Sequence, residues 1–540
     1  MEGSDSVRFR THYDAVVVGG GHNGLVAAAY LARAGQSVLL LERDEELGGA
    51  TASRRVFPGM DARLSRYSYL VSLLPRAIVD ELGLRFTTRR RAIASCTPYE
   101  REGRPEALLL SNVDEEGSLR SFAALTGAAD RRGYEELLEL ERAFAAQVWP
   151  SLLQPLRSRA QWRDALASPL ERAAWDAFVE RPLGETVERL VRDDVLRGVV
   201  FTDGKIGIFT HAHDATLQQN RCFIMHVIGQ GSGEWQVPVG GMGARVDALA
   251  ASARAGGAEL VTAAPVDAIH VGGARHAVVF RHGGRARAVE ATRVLVNAGP
   301  QVFDRLLGRP HAARPADEGS VCKVNMLLRR LPRLKVGIDP RDAFAGTFHV
   351  DESYEQLQAS YTRAAVGELP ERPPFEIYCH TLTDDSILGP ELRNAGYHTL
   401  TLFGLDVPYR LFEADHDARK AELTRRYLQG LNRALAEPIE ECLALDADGA
   451  PCIEVKTPRD LEHSLALNQG NIFHGELSWF FAGDADDTGV GTWGVETPYE
   501  RIYRCGSSAL RGGAVSGIPG RNTAQRIFEE LRITSPSAGV

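Results

Sequence analysis

Apolar and polar positions recur with two different periods along the chain, and the change of period marks its elements. Asp14 to Val18 (Asp-Ala-Val-Val-Val) is a short β-branched run, and Leu25 to Ala34 is an alanine-rich stretch of helical character. A strand and a helix are therefore predicted on either side of Gly19-Gly20-Gly21-His22-Asn23-Gly24. Gly35 suits the C′ position of that helix, and Ser37 to Leu41 reads as a second strand ending at Glu42. Farther on, Tyr134 to Val148 carries apolar residues at helical spacing, whereas Phe375 to Cys379 and Tyr397 to Phe403 read as strands. No internal repeat or low-complexity segment interrupts the pattern.

The glycine turn is where the pattern implies chemistry. Gly19 permits a sharp reversal, Gly21 lets the backbone approach a pyrophosphate, and Gly24 lets the helix pack closely on the strand. The free N–H groups and partial positive charge of the helix N-terminus then face the phosphates. Glu42 is placed to accept both ribose hydroxyls of an adenosine, and its charge disfavours a 2′-phosphate. Strand, turn, helix, second strand and terminal acid in that order predict a dinucleotide site. These residues alone admit either FAD or NAD.

Composition narrows the remaining classes. The 540 residues, 44% of them hydrophobic, can bury a large core and exceed one ordinary domain. A net charge of -9, with arginines scattered among acids, disfavours nucleic acid as a partner. Cys96, Cys222, Cys322, Cys379, Cys442, Cys452 and Cys505 lie far apart without metal-ligand spacing, so buried thiols, a reducing compartment and no metal are expected. His211-Ala212-His213-Asp214 lacks a further His or Cys nearby and reads as polar surface. Met1 to Tyr13 has no apolar signal-peptide core, and no long apolar run escapes a charge. A cytoplasmic protein, at most peripheral to a membrane, is expected, and the sequence leaves the oligomeric state open.

Further motifs separate FAD from NAD. Leu47-Gly48-Gly49-Ala50-Thr51-Ala52-Ser53 sets a second glycine pair after the ribose-binding acid, and Gly233 to Ala244 leads a glycine cluster into a helix over Arg245 to Ala255. Val266-Asp267-Ala268-Ile269 and Val294 to Pro300 follow; near the C-terminus come Ile502 to Ser508 and the glycine-rich Gly512 to Ala524. In this order the segments resemble the phytoene desaturase-like flavoproteins, relatives of the flavin amine oxidases. The resemblance implies non-covalent FAD, reached by Gly19, Gly21, Gly24 and Glu42 and also by Arg43, Gly49, Ala50, Val266, Gly299, Gly506, Gly513 and Val515. Val266 would contact the adenine through its backbone. Cys505, at the end of an apolar strand, is expected to be a buried thiol rather than a flavin attachment point.

The spacing of these motifs predicts an α/β fold. A discontinuous Rossmann-type FAD-binding domain (10–99, 233–310 and 460–532) would carry an inserted α+β substrate domain (100–232 and 311–459), with a flexible tail over 533–540. Three places near the expected flavin are candidates for catalysis: His474 in Gly470-Asn471-Ile472-Phe473-His474-Gly475, Tyr67 with Tyr69, and Arg511. Their plain alternatives are a structural hydrogen bond, core packing and a solvated surface charge. Leu477-Ser478-Trp479-Phe480-Phe481 reads as core. Leu510-Arg511 stands where many relatives have His-Pro, so the reaction of no single relative transfers. The expected function is an FAD-dependent oxidoreductase taking hydride from an apolar or amphipathic substrate, polyene-like or a secondary metabolite. A flavin amine oxidase is the alternative enzyme. A non-enzymatic lipid-binding chaperone of the GDP-dissociation-inhibitor type is the alternative of another class, and the intact glycine set with Glu42 argues against it.

Overall fold

The computed structural model describes residues 8–126, 128–483 and 492–533, so 534–540 of the expected tail lie outside the described residues. The chain begins β1 (His12–Val18), α1 (His22–Arg33), β2 (Val38–Leu41), as the apolar pattern predicts. It then leaves this unit to form the hairpin of β3 (Ile93–Arg101) and β4 (Arg104–Ser111). A helical stretch follows, including α2 (Ala128–Ser151), α3 (Asp194–Phe201) and α4 (Gln218–Val227). The long helix α5 (Gly241–Ala255) brings the chain back to β5 (Glu259–Val261), β6 (Val266–His270), β7 (His276–His282) and β8 (Arg285–Val296). Next come β9 (Cys322–Leu328), β10 (Thr347–Val350), β11 (Phe375–Tyr378), β12 (His398–Gly404) and β13 (Ile453–Lys456), and last β14 (Ile502–Arg504) and α6 (Ile518–Leu531).

These strands build two seven-stranded sheets. The first has the order β6-β7-β8-β1-β2-β5, and β14 lies against the C-terminal half of β8, beyond the point where β7 ends. The pairs of β1 with β2 and β8, β2 with β5, and β8 with β14 are parallel. A parallel sheet is covered on both faces, and the side chains show it. Ala15, Val17, Val38 and Leu40 join one apolar cluster with α1, α5 and α6, while Val16, Val18, Leu39 and Leu41 join another under β6–β8.

The second sheet has the order β13-β9-β12-β11-β10-β3-β4. Pairing places Ile93–Tyr99 in this sheet, although the sequence boundary groups them with the FAD-binding segments. The reason is that β3 both closes a tight hairpin with β4 and pairs in parallel with β10, contacts that no local motif announces. The helical insertion is tied to this sheet by a buried ion pair, Lys205 Nζ to Asp406 at 2.9 Å. Phe480 and Phe481 pack against Trp162 and Trp175 in the core of that insertion. Among the described residues, no helix is long and apolar enough to cross a membrane.

Candidate functional site

The glycine turn between β1 and α1 is held from two sides. Gly19 has φ of 101°, a left-handed conformation, and its N–H donates to the carbonyl of Leu41 at 2.8 Å. A Cβ on Gly24 would lie 2.2 Å from the Gly19 carbonyl oxygen, so α1 reaches the turn only because position 24 has no side chain. Asn297, at the end of β8, donates from Nδ2 to the same carbonyl at 3.1 Å. Gly21 differs: its φ of -69° is ordinary, and a Cβ there would meet only Asn297 Nδ2 at 3.1 Å and the Gly48 carbonyl at 4.0 Å. The open space is a cradle in front of the N-terminus of α1. Glu42 closes its far side. Its carboxylate accepts from Gly20 N at 2.6 Å and Asp44 N at 2.9 Å, and burial still raises its pKa.

A cavity of about 740 Å³ opens from this cradle. Gly19, Gly21, Glu42, Arg43, Gly49, Ala50, Val266, Gly299, Gly513 and Val515 all line it, together with Tyr67, Tyr69 and His474. Segments separated by hundreds of residues thus converge where the motifs indicate. Gly24 and Gly506 do not line it. Both serve close packing, since a Cβ on Gly506 would lie 2.6 Å from Asn297 Oδ1. Cys505 is fully buried in the apolar cluster around α1, away from the cavity.

The residues present fit a dinucleotide with an anionic bridge. Besides the cradle, buried donors lack partners among the described residues: Nδ2 of Asn23 in the first turn of α1, and Nε and Nη2 of Arg245 in α5. Arg245 is fully buried and is tied to the cavity by its Nη1, which donates to the Val515 carbonyl at 2.8 Å. Neither Asn23 nor Arg245 lines the cavity itself; the positive charge of Arg245 lies behind the wall that Val515 forms, where it favours an anion in the cavity. His22 and His474 add neutral donors or acceptors. Burial lowers them to about 3 and about 4, and His474 Nδ1 has no partner among the described residues.

Beyond the cradle, the wall is one face of the second sheet. His349 pairs with Glu376, Glu376 with Phe403, and Phe403 with Lys323, forming a row across β10, β11, β12 and β9. All four line the cavity. The row behind it, Phe348, Ile377, Leu402 and Val324, is the sheet's apolar core face. Lys323 is 2% exposed; its Nζ donates to the Tyr67 carbonyl at 2.7 Å and stands 3.8 Å from the centre of the Tyr69 ring. Burial pushes its pKa well below the ordinary 10.5, against the raising influence of Glu454. Sequence reasoning missed Lys323, Glu376 and His349. The signal available was a polar residue at alternate positions of Cys322-Lys323-Val324-Asn325, Phe375-Glu376-Ile377-Tyr378 and Thr347-Phe348-His349-Val350.

Arg511 is neither in the cavity nor on the surface. It is 7% exposed and donates to the carbonyls of Ser151, Gln154 and Trp493, at 3.1, 2.6 and 2.9 Å. It therefore clamps the end of α2 to the C-terminal loop. Arg511→Leu would strand those carbonyls and is expected to cost about 3 kcal/mol or more, read as a lower urea midpoint. An unchanged midpoint would show that the clamp is dispensable. His211 and His213 form no metal site. His213 pairs with Glu188 at 2.8 Å, and among the described residues no cluster suits a metal ion.

The cavity also contains carboxyls of unusual proton affinity. Burial, then repulsion by Asp203, raises Glu141 from 4.5 to about 8. The folded state then holds a proton that the unfolded chain releases, so this stability is present below about pH 4.5 and is lost as pH rises through 8. His474 acts oppositely: neutral when folded, it adds stability as pH rises from about 4 to 6.5. In the cofactor-free protein, Glu141→Gln is expected to flatten the decline in Tm between about pH 6 and 8. An identical decline in both proteins would remove Glu141 as its source.

Comparison with known proteins agrees with this geometry. The family NAD(P)-binding Rossmann-like domain matches residues 17–77. An uncharacterised protein of Mycobacterium tuberculosis is 47% identical over 522 residues, covering 96% of this chain and 97% of its own. Pyridine nucleotide-disulfide oxidoreductase domain-containing protein 2 of Rattus norvegicus is 30% identical over 577 residues, covering 97% of this chain and 94% of its own. Among solved structures, a putrescine oxidase variant redesigned in cofactor binding superposes with a TM-score of 0.57 at 20% identity, over 96% of this chain and 99% of that one. With the motifs, the fold and a relative matched almost end to end, the chain belongs to the family of pyridine nucleotide-disulfide oxidoreductase domain-containing protein 2.

Proposed function

We propose that the protein is an FAD-dependent oxidoreductase that takes hydride from an amphipathic small molecule, with the FAD held non-covalently. The observation that carries this reading is that the nucleotide cradle and the polar face of the second sheet share one cavity. When bound, FAD supplies the hydride acceptor. Gly19, Gly21 and the α1 N-terminus would hold its pyrophosphate, Glu42 its ribose and Val266 its adenine, with Gly49, Ala50, Gly299, Gly513 and Val515 beside the remainder. Leu73, Leu110, Phe223 and Val321 supply apolar wall that excludes water, while Lys323, His349 and Glu376 make a purely apolar substrate a poor match. Lys323, whose charged form burial disfavours, can accept a proton at Nζ from a substrate nitrogen or hydroxyl.

The purified protein is expected to carry flavin absorbance, and acid precipitation should release the flavin into solution. Anaerobic titration with polyenes, amines and hydroxylated metabolites should bleach it with at least one class. A protein that stays colourless after incubation with FAD would sink this reading and favour the lipid-binding chaperone.

A further inference from the structure

Two carboxyls in the cavity have no hydrogen-bond or ion-pair partner among the described residues. Glu141 projects from α2, and Asp203 from the turn that follows α3. Repulsion by Asp203 adds to burial in raising the pKa of Glu141. A third cavity carboxyl, Glu376, accepts from Tyr378 at 2.6 Å but leaves its Oε1 without a partner. Arg91, His226 and His349 line the same cavity and attract Asp203, but none of them hydrogen-bonds or ion-pairs with it; Arg91 donates from Nε to the Trp235 carbonyl and from Nη1 to Thr347.

A carboxyl away from water is normally paired or protonated, because an unpaired charge there is costly; Glu141 keeps its proton in the empty cavity and would give it up to a bound cation. Here the neighbouring carboxyls share a pocket that leads to the cradle, and the C-terminal end of α3 adds its partial negative charge beside Asp203. A bare metal ion is disfavoured, since no group of three or more metal-ligating side chains forms among the described residues. Leu138, Val199 and Phe223 supply apolar wall next to the acids, which suits methylenes. We infer that Glu141 and Asp203 bind a cationic nitrogen of the substrate, a primary ammonium or guanidinium borne on an aliphatic chain. This rests on the cavity being the reaction site proposed above. It adds that the amphipathic molecule has a positively charged head, anchored by the helical insertion rather than by the cradle.

The test is a charge ladder of one chain length on the FAD-loaded protein: n-hexylamine, 1,6-diaminohexane, 1-hexanol and hexanoate, by isothermal titration calorimetry. The amines are expected to bind about tenfold or more tighter than hexanol, and hexanoate weakest. The double variant Glu141→Gln, Asp203→Asn should abolish the amine preference while leaving hexanol binding within about twofold. Equal binding of amine and alcohol, binding of hexanoate as tight as that of hexylamine, or no binding of any amine would overturn the assignment. So would a variant that weakens amine and alcohol equally. If the double variant does not fold, the ladder on the wild-type protein decides alone. Flavin content is read separately. A flavin-loaded protein indifferent to amines refutes the cation site only, whereas a protein unable to take up FAD refutes the oxidoreductase reading.

Discussion

Gly21→Val is expected to give a folded protein that carries no FAD. The backbone at position 21 has φ of -69° and ψ of 171°, which any residue adopts, so valine imposes no conformational strain. Its Cβ would press only on Asn297 Nδ2 at 3.1 Å, a side-chain atom able to yield by a few tenths of an ångström. The branched side chain would then fill the space in front of α1 where the pyrophosphate must come. Gly24→Ala supplies the contrast. Its Cβ would sit 2.2 Å from the Gly19 carbonyl, so α1 cannot keep its place and stability falls with FAD binding. The ratio of flavin absorbance to protein, read beside the urea midpoint, separates the two. The valine variant should lose flavin at a near-normal midpoint, and the alanine variant should lose both. Normal flavin content in Gly21→Val would mean that the pyrophosphate lies elsewhere.

Those two glycines also show why the nucleotide half was legible in the sequence and the other half was not. A turn that must reverse sharply, leave open space before a helix and let that helix touch a strand restricts residue type at fixed spacing, so the turn of Gly19, Gly21 and Gly24 with Glu42 beside it is announced locally. The second sheet imposes no such spacing. Lys323, Glu376 and His349 occupy alternate strand positions, the pattern of a sheet with one face in water. Only the pairing of β10, β11, β12 and β9, set by contacts distant in sequence, turns that face toward a cavity. Arg511, a candidate for catalysis with a solvated surface charge as its alternative, takes neither place, on the same ground. A lone arginine before a glycine pair reads as solvated, and the carbonyls that capture it come from the far end of α2 and from Trp493. Glu141 lies on a helix read correctly from its period, yet periodicity cannot tell a charge facing solvent from one facing a cavity.

Lys323→Met is expected to leave FAD content intact and to slow flavin reduction by substrate by about two to four orders of magnitude. Methionine has similar length and tolerates an apolar site, so the packing between Tyr67 and Tyr69 survives, while the group that accepts a proton is gone. Because burial lowers Lys323 well below 10.5, the wild-type rate should rise with pH through that lowered value and level off at higher pH. The methionine variant should lack this limb. Lys323→Arg decides between a proton acceptor and a mere positive post. A guanidinium can still donate to the Tyr67 carbonyl, but it stays protonated at every accessible pH, so it restores the structure and not the rate. Recovery of the rate by arginine, or wild-type reduction in the methionine variant, would move Lys323 from the chemistry to the scaffold. The proton would then have to leave through His474 or through the substrate's own exchange with water.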